Sequence, residues 1–447
     1  MNNTKDDIKN GRVIIPYSRS IISLVAAHSL GRKGIDVIGC DSVDFTVVSF
    51  SKYASDHFLY TDPKEDEEAF IQNMIEKVKK YKPKDERPYV LMPIFDDIQI
   101  IARHRHRFPD YIKIAVPKAE AIDALYPKDS FAQTVEKIGV EAPKTWQPKN
   151  RDDVEDLSKE FEYPALIKPY DQVGGRGIHK ANNTEELLRL WDENCEKYDQ
   201  KSLIQEVVDG EDYCLTALYD NGVRKASMAY KNIHRFPLES GAGAMRETID
   251  DSPFTKAADK LMAELKWNGV AEFDFMWDES PETDPSMIEV NTRFWGGLYQ
   301  SVESGIDFPW LLYQLTVCGE VEKAAEPKIG TRTKLPGLWV FSAINEIMES
   351  DEELRRSIDD KGEAAITAFK DGKMIEACAQ GFDAMSDYLK DKLDFKAKGR
   401  KLRVVLEQSK SASTELLDGD DPTSAFGVLF VFGSLLRHGK LPEELKF

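Results

Sequence analysis

From Arg12 the chain alternates between two hydrophobic patterns. VIIPYS and IDVIGC are short continuous apolar runs, and between them SIISLVAAHSLGRKG repeats its apolar positions at helical spacing and ends in glycines. Strand, helix, strand is the expected order. A second round follows, with helical EEAFIQNMIEKVKKY, the strand YVLMPIF, helical DDIQIIARHRHRF and the strand IKIAVP. Strands alternating with helices predict a parallel sheet for about the first 118 residues. No G-x-G-x-x-G pattern follows the first strand, so this unit does not read as a dinucleotide binder, although its PYSRS turn is placed to line a substrate cleft. The alternate histidines of HRHR, residues 104–107, fit a basic helix end better than a metal site.

The pattern then changes. A helix is expected from Ser130 to Ile138, followed by antiparallel strands with turn signals at VGGRG, VDGED and YDNGVR. Asn221-Gly222 is a hairpin turn by composition. After a further helix, KAADKLMAELKW, come two strands, GVAEFDFMW and SMIEVNTRF, joined by the acidic loop DESPETDP. Helices and a smaller domain are expected beyond residue 331, without repeats or catalytic motifs. The basic run Lys396–Arg403 reads as solvated surface. AFGVLFVFGSLL, residues 425–436, falls short of the roughly 20 residues of a membrane-spanning helix and reads as a buried element.

Composition narrows the class. A chain of 447 residues holds more than one core, and 41% apolar with 31% charged residues is the balance of an ordinary soluble enzyme. A formal net charge of -19 argues against nucleic acid as the main partner, so any phosphate chemistry needs a local basic pocket. The five cysteines are scattered, with no CxxC pair, and read as reduced thiols in a cytoplasm. The polar start MNNTKDDIKNGR lacks the apolar core of a signal peptide.

Three segments carry candidate chemistry. In MIEVNTRFWGGLYQ, residues 287–300, the two-residue period of a strand puts Glu289, Asn291 and Arg293 on one face and Ile288 and Val290 on the other. Asp274 likewise alternates with Phe273 and Phe275, so if the two strands pair, Asp274, Glu289 and Asn291 converge. Mg2+ takes octahedral oxygen ligands at about 2.1 Å, usually one or two carboxylates with nucleotide phosphates and water, and this trio suits one or two such ions. Glu272 shares the face of Asp274 and is the alternative first ligand. In YPALIKPYDQVGGRGIHK, Lys168 ends a strand and Gly174, Gly175 and Gly177 let backbone N–H groups approach phosphate; the Walker pattern is absent. LIQEVVDGEDYCL offers backbone groups to a base and Asp212 to a ribose hydroxyl. Each segment alone also passes for an ordinary strand and turn.

Their order separates the readings. A lysine before a helix, a lysine on a strand, a glycine-rich loop, a QExxxG hinge, an acid and then ExNxR resembles the ATP-grasp superfamily over about Ile112 to Gly319. The βαβ region before it is similar to the domain that usually precedes the grasp. The resemblance implies an α/β and α+β chain: an N-terminal parallel-sheet, Rossmann-like pre-ATP-grasp domain at 1–118, an ATP-grasp domain at 119–325 and a C-terminal extension at 326–447. It implies ATP and Mg2+, with Mn2+ as a substitute. Carried over by position, Lys128 and Lys168 hold nucleotide phosphates while Gly174, Gly175 and Gly177 close over them. Gln205, Glu206 and Val208 meet adenine, the last two largely through backbone, and Asp212 takes the ribose. Asp274, Glu289 and Asn291 bind the metal, and Arg293 steadies the transferred phosphoryl or the substrate carboxylate. Thr292 stands where the family often has proline. Arg246, in SGAGAMRE, resembles a substrate-side arginine, with a surface salt bridge as its other reading.

Enzymes of this kind phosphorylate a carboxylate with ATP and let an amine attack the acylphosphate, giving ADP and phosphate. The implied activity is therefore an ATP-dependent carboxylate–amine ligase with small-molecule carboxylate and amine substrates, no nucleic acid and no membrane span. A homodimer is among the family's forms. NTRFWGGLYQSVESGIDFPWLLYQ also resembles a subgroup labelled carbamoyl-phosphate-synthase-like, but a full synthase needs a second grasp half and a source of ammonia, and one set of motifs is present. The alternatives are a bicarbonate-phosphorylating subunit of the biotin-carboxylase or carbamoyl-phosphate-synthase kind, and a nucleotide-binding regulatory module without turnover. Trp295, Gly296 and Gly297 either shape the acceptor pocket or, for Phe294 and Trp295, belong to the core.

Overall fold

The computed structural model describes residues 7–95, 97–159, 162–170, 177–236, 242–335, 395–415 and 419–424, with the single residues Trp339, Lys361, Ala364, Gln380, Asp383 and Phe426. Gly174 and Gly175 lie outside the described residues, as does the apolar run 425–436 apart from Phe426.

The N-terminal unit comprises β1 (Arg12–Ile15), α1 (Ile21–Arg32), β2 (Asp36–Asp41), β3 (Ala54–Leu59), α2 (Glu67–Lys80), β4 (Tyr89–Leu91), α3 (Asp97–Arg103) and β5 (Lys113–Ile114). Its sheet has the order β3-β2-β1-β4-β5 and is parallel throughout. The continuous apolar run of β1 follows from burial on both faces: Ile14 enters one core, while Val13 and Ile15 enter another with α1. β3 is the strand that the pattern did not predict. ASDHFL sits at the sheet edge with only Phe58 buried, so it carries the polar residues an edge strand tolerates. The HRHR stretch pairs with acids of α2, His104 with Glu67 and Arg107 with Glu68.

After α4 (Ala119–Asp123) and α5 (Lys128–Ile138) comes a four-stranded antiparallel sheet of order β6-β9-β7-β8. It is built from β6 (Thr145–Trp146), α6 (Arg151–Leu157), β7 (Ala165–Pro169), β8 (His179–Ala181), α7 (Thr184–Tyr198) and β9 (Ser202–Glu206), around a core of Val154, Ile167, Leu187, Trp191 and Ile204. The larger sheet takes β10 (Glu211–Asp220), β11 (Val223–Phe236), β12 (Ala242–Ile249), β13 (Gly269–Trp277) and β14 (Ser286–Asn291), with α8 (Ser252–Leu265) between β12 and β13. Asn221 and Gly222 join β10 to β11 with φ of 49° and 85°, the two positive values of a type I′ turn. A Cβ at Gly222 would lie 2.8 Å from the Ala263 Cα, so α8 packs directly on that turn.

The two faces of this sheet have different neighbours. Tyr213, Leu215, Ala271, Phe273 and Phe275 pack against Phe254, Ala258, Leu261 and Met262 of α8. On the other face Cys214, Met228, Tyr230 and Val270 join a core with Phe294, Trp295, α9 (Leu298–Glu303) and α10 (Phe308–Cys318). Phe294 and Trp295 are thus core residues, each contributing roughly 1.5–3 kcal/mol through burial. α10 also reaches the N-terminal unit, where the Tyr313 hydroxyl donates to the Ile8 carbonyl at 2.8 Å. The large sheet continues past residue 325: β15 (Arg332–Lys334) adds to β12 and, after α11 (Phe395–Lys410), β16 (Ala412–Thr414) pairs parallel with β15, giving the order β14-β13-β10-β11-β12-β15-β16. The C-terminal extension therefore contributes strands to the sheet that precedes it. Among the described residues no helix is long and apolar enough to cross a membrane.

Candidate active site

Strand register assembles an acidic wall. In the antiparallel pair β13–β14, Asp274 is opposite Glu289 and Glu272 opposite Asn291. Directly opposed residues project to the same side, so these four side chains stand together, away from Phe273 and Val290 of the core. β10 extends the rows, with Cys214 opposite Asp274 and Thr216 opposite Glu272, and Tyr230 of β11 is opposite Cys214. The Asn291 amide nitrogen donates to Glu272 Oε2 at 3.2 Å and to Asp274 Oδ2 at 3.3 Å. The Tyr230 hydroxyl donates to Glu272 Oε1 at 2.5 Å. The Cys214 Sγ and one oxygen each of Glu272 and Asp274 lie within 4.8 Å of one another.

Such crowding shows in the acidities. Burial, then the negative charges of Glu272, Asp212 and Glu289, push the Asp274 carboxyl well above its usual range. Burial raises Glu272 to about 7, against the opposing effects of the Tyr230 hydrogen bond and the charges of Arg293 and Arg246. A set of oxygen donors that repel one another in this way is a fit for a hard divalent cation.

Two lysines face the wall. Lys128 is the first residue of α5 and its Nζ lies 3.3 Å from Glu289 Oε1. Lys168, buried on β7, donates to Gln205 Oε1 at 2.5 Å. Burial lowers its ammonium to about 8, with Glu289 opposing the shift and Lys128 adding to it. Gln205 is fixed in turn by donation to Thr145 Oγ1 at 2.9 Å. Glu206 is tied to Lys144 twice, its amide donating to the Lys144 carbonyl at 3.1 Å and its carboxylate accepting from the Lys144 amide at 2.7 Å. Val208 is half-buried in the connection to β10. Gly177, with φ of 71°, has no space for a side chain: a Cβ would lie 2.6 Å from both Pro169 and Tyr198.

Asp212 is held by Arg235 at 2.5 Å and by the Asn232 amide at 3.1 Å. Arg293 departs from the expected alternation. β14 ends at Asn291, so Arg293 lies in the bend that follows, its guanidinium 4.2 Å from the Phe95 ring centroid and one nitrogen donating to the Phe294 carbonyl at 2.9 Å. Phe95 stacks in turn on Tyr17 at 4.9 Å, so the PYSRS turn of the N-terminal unit backs the ring that Arg293 covers. Arg246 is not a surface residue: it is 5% exposed and pairs with Glu415, also buried, at 2.9 Å. Its guanidinium carbon is 6.0 Å from the Tyr230 ring centroid.

Cys214, Tyr230, Asn232, Arg235 and Glu415 are the residues here that sequence reading passed over. For Cys214 a signal existed, since it follows Asp212 by two on the same strand. The others depend on which strands become neighbours.

Residues 127–297, which carry both lysines and the acidic wall, match the ATP-grasp domain family. The chain is 26% identical over 180 residues to the D-alanine–D-alanine ligase of Fusobacterium nucleatum, covering 37% of this chain and 55% of that protein. It is 26% identical over 189 residues to the carbamoyl-phosphate synthase of Methanobrevibacter smithii, covering 41% and 49%. The chain thus spans about half the length of these relatives. In structure it is similar to biotin carboxylase from Campylobacter jejuni in its β,γ-ATP complex, with a TM-score of 0.58 at 17% identity over 72% of this chain and 74% of that one.

Proposed function

We propose that this protein is an ATP-dependent, ADP-forming carboxylate–amine ligase, in which a small carboxylate is phosphorylated to an acylphosphate that an amine then attacks. The observation that carries this reading is the convergence of Glu272, Asp274, Glu289 and Asn291 in one register, faced by Lys128 and Lys168. The reaction brings several anionic oxygens together, and only a site with both metal ligands and fixed cations offsets their repulsion. Mg2+, with Mn2+ as substitute, would be held by Asp274, Glu289 and Asn291 and would supply charge neutralisation at the transferred phosphoryl group. Asp274 is preferred to Glu272 as first ligand because it stands directly across from Glu289, whereas Glu272 is engaged by the Tyr230 hydroxyl. Asn291 ligates through its oxygen, so metal binding requires its amide to turn from the donor pose.

In this reading Lys128 and Lys168 bind the phosphates, and the loop through Gly174, Gly175 and Gly177 covers them and keeps water from the acylphosphate. Gln205, Glu206 and Val208 border the adenine. Asp212 takes the ribose by exchanging its present partners. Arg293 and Arg246 receive the phosphoryl group and the substrate carboxylate. The setting is cytoplasmic, with a homodimer as the assembly to test by light scattering.

The test is Mg-ATP turnover to ADP and phosphate against a panel of carboxylates, with and without amines. Carboxylate-stimulated turnover is expected. Tight ATP binding with no stimulation by any acid would mean a regulatory module instead. Nucleotide binding has a proton signature as well. Phosphate anions favour the ammonium form of Lys168, which burial holds near a pKa of about 8. ATP binding at pH 8.5 is therefore expected to take up a fraction of a proton, seen as a buffer-dependent heat in calorimetry and lost in Lys168→Met. A heat independent of buffer would sink that role for Lys168.

A further inference from the structure

Glu415 reaches the site from far along the chain. β16 pairs parallel with β15, with Lys334 opposite Thr414, and the Glu415 amide continues the ladder by donating to the Lys334 carbonyl at 3.0 Å. β15 pairs with β12 so that Thr333 is opposite Arg246. Together the two registers set the Glu415 carboxylate against Arg246, Oε1 accepting from Nη1 at 2.9 Å, with the Thr333 hydroxyl 3.4 Å away. Arg246 is 5% exposed and Glu415 1%.

On its other sides Arg246 meets the reaction centre. It lies over Tyr230, whose hydroxyl donates to Glu272 of the acidic wall. A Cβ at Gly296 would be 3.6 Å from Arg246 Nη2, so the turn after the metal strand bounds the guanidinium. The segment that carries Glu415 is anchored a second time by Asp421, which is fully buried. Asp421 accepts from Ser51 Oγ at 2.5 Å and from the Lys52 amide at 3.1 Å, and lies 2.9 Å from His28 Nε2 in the N-terminal unit.

A buried guanidinium needs a counter-charge, and a planar fork held at one nitrogen has its other N–H donors fixed in direction. We propose that Glu415 is a positioning residue of the acceptor side: it fixes Arg246 beside Tyr230 and Gly296 so that the remaining donors of the fork receive the substrate's carboxylate. This role rests on the ligase reading above. The chain beyond β15 then contributes a residue to the site.

The test uses the full chain as wild type, Glu415→Asp and Glu415→Gln, with Arg246→Lys alongside. Glu415→Asp keeps the charge but shortens the arm. It is expected to raise the carboxylate KM about tenfold while the ATP KM stays within about twofold and the melting temperature stays near wild type. Glu415→Gln should raise the carboxylate KM further and lower the melting temperature as well. If Glu415 only holds the fold together, both variants melt earlier with the wild-type carboxylate KM, and the positioning role is overturned. A raised KM in Arg246→Lys alone would overturn it too, with the ligase reading left standing. If no carboxylate stimulates the wild type, the ligase reading fails and phenylglyoxal labelling, mapped by mass spectrometry, decides. Faster labelling of Arg246 in Glu415→Asp than in wild type supports the positioning role, and equal labelling overturns it.

Discussion

Glu289→Ala is expected to lower carboxylate-stimulated Mg-ATP turnover by roughly a thousandfold, the scale of losing a main source of charge stabilisation in a transition state. Glu289 stands across from Asp274 and is the carboxylate that Lys128 meets at 3.3 Å. Without it the wall loses the half-exposed carboxylate that stands between Asp274 and Lys128. The two lysines remain, so nucleotide should still bind, and ATP affinity in the absence of metal is expected to hold or rise. Turnover and metal-free binding are to be measured on one preparation. Turnover within tenfold of wild type would falsify the assignment of Glu289 to the metal.

The second large effect is a pH-dependent stabilisation by Mg2+. A carboxyl whose pKa is higher in the folded than in the unfolded chain binds a proton more tightly when folded. Its stabilising contribution is complete below the unfolded value and is lost as pH rises through the folded one. For Glu272 that window runs from about 4.5 to about 7, and the raised Asp274 acts in the same direction. The metal-free protein should therefore lose stability across this range as the wall becomes fully charged. Mg2+ competes with those protons, so its effect should be small at pH 6 and large at pH 8. At a hundred times its Kd it would add about 3 kcal/mol. Thermal melts with and without Mg2+ at both pH values give the answer: an equal shift at the two would mean the ion binds elsewhere. Glu272→Gln removes one charge from the wall and should flatten the pH dependence.

Both expectations descend from positions legible in the chain. The alternation of FDF and EVN assigns Asp274, Glu289 and Asn291 to the face away from Phe273 and Val290, and strand pairing adds only that the two faces coincide. The type I′ turn at Asn221-Gly222 was equally legible, because positive φ at two successive positions selects those residues from local sterics. Arg293 shows the limit of that logic. The strand stops at Asn291, so its period no longer dictates where Arg293 points; the loop sets the guanidinium over Phe95 of the N-terminal unit while its charge still acts on Glu272 of the wall. β3 was hidden for a related reason, since an edge strand with one buried residue carries no apolar period.

What the sequence determined by itself is the parallel first sheet, the antiparallel hairpins, and the side of each strand on which an acid or lysine stands. These follow from local periodicity, which each segment expresses without reference to its neighbours. The tertiary structure alone decided that Tyr230 reaches Glu272, that Arg235 holds Asp212, and that Glu415 pairs with Arg246 across 169 positions of chain. Those contacts depend on strand order and register in a seven-stranded sheet, where β15 and β16 join from beyond the expected domain boundary. Register is fixed by burial summed over the whole sheet, so no single segment carries it.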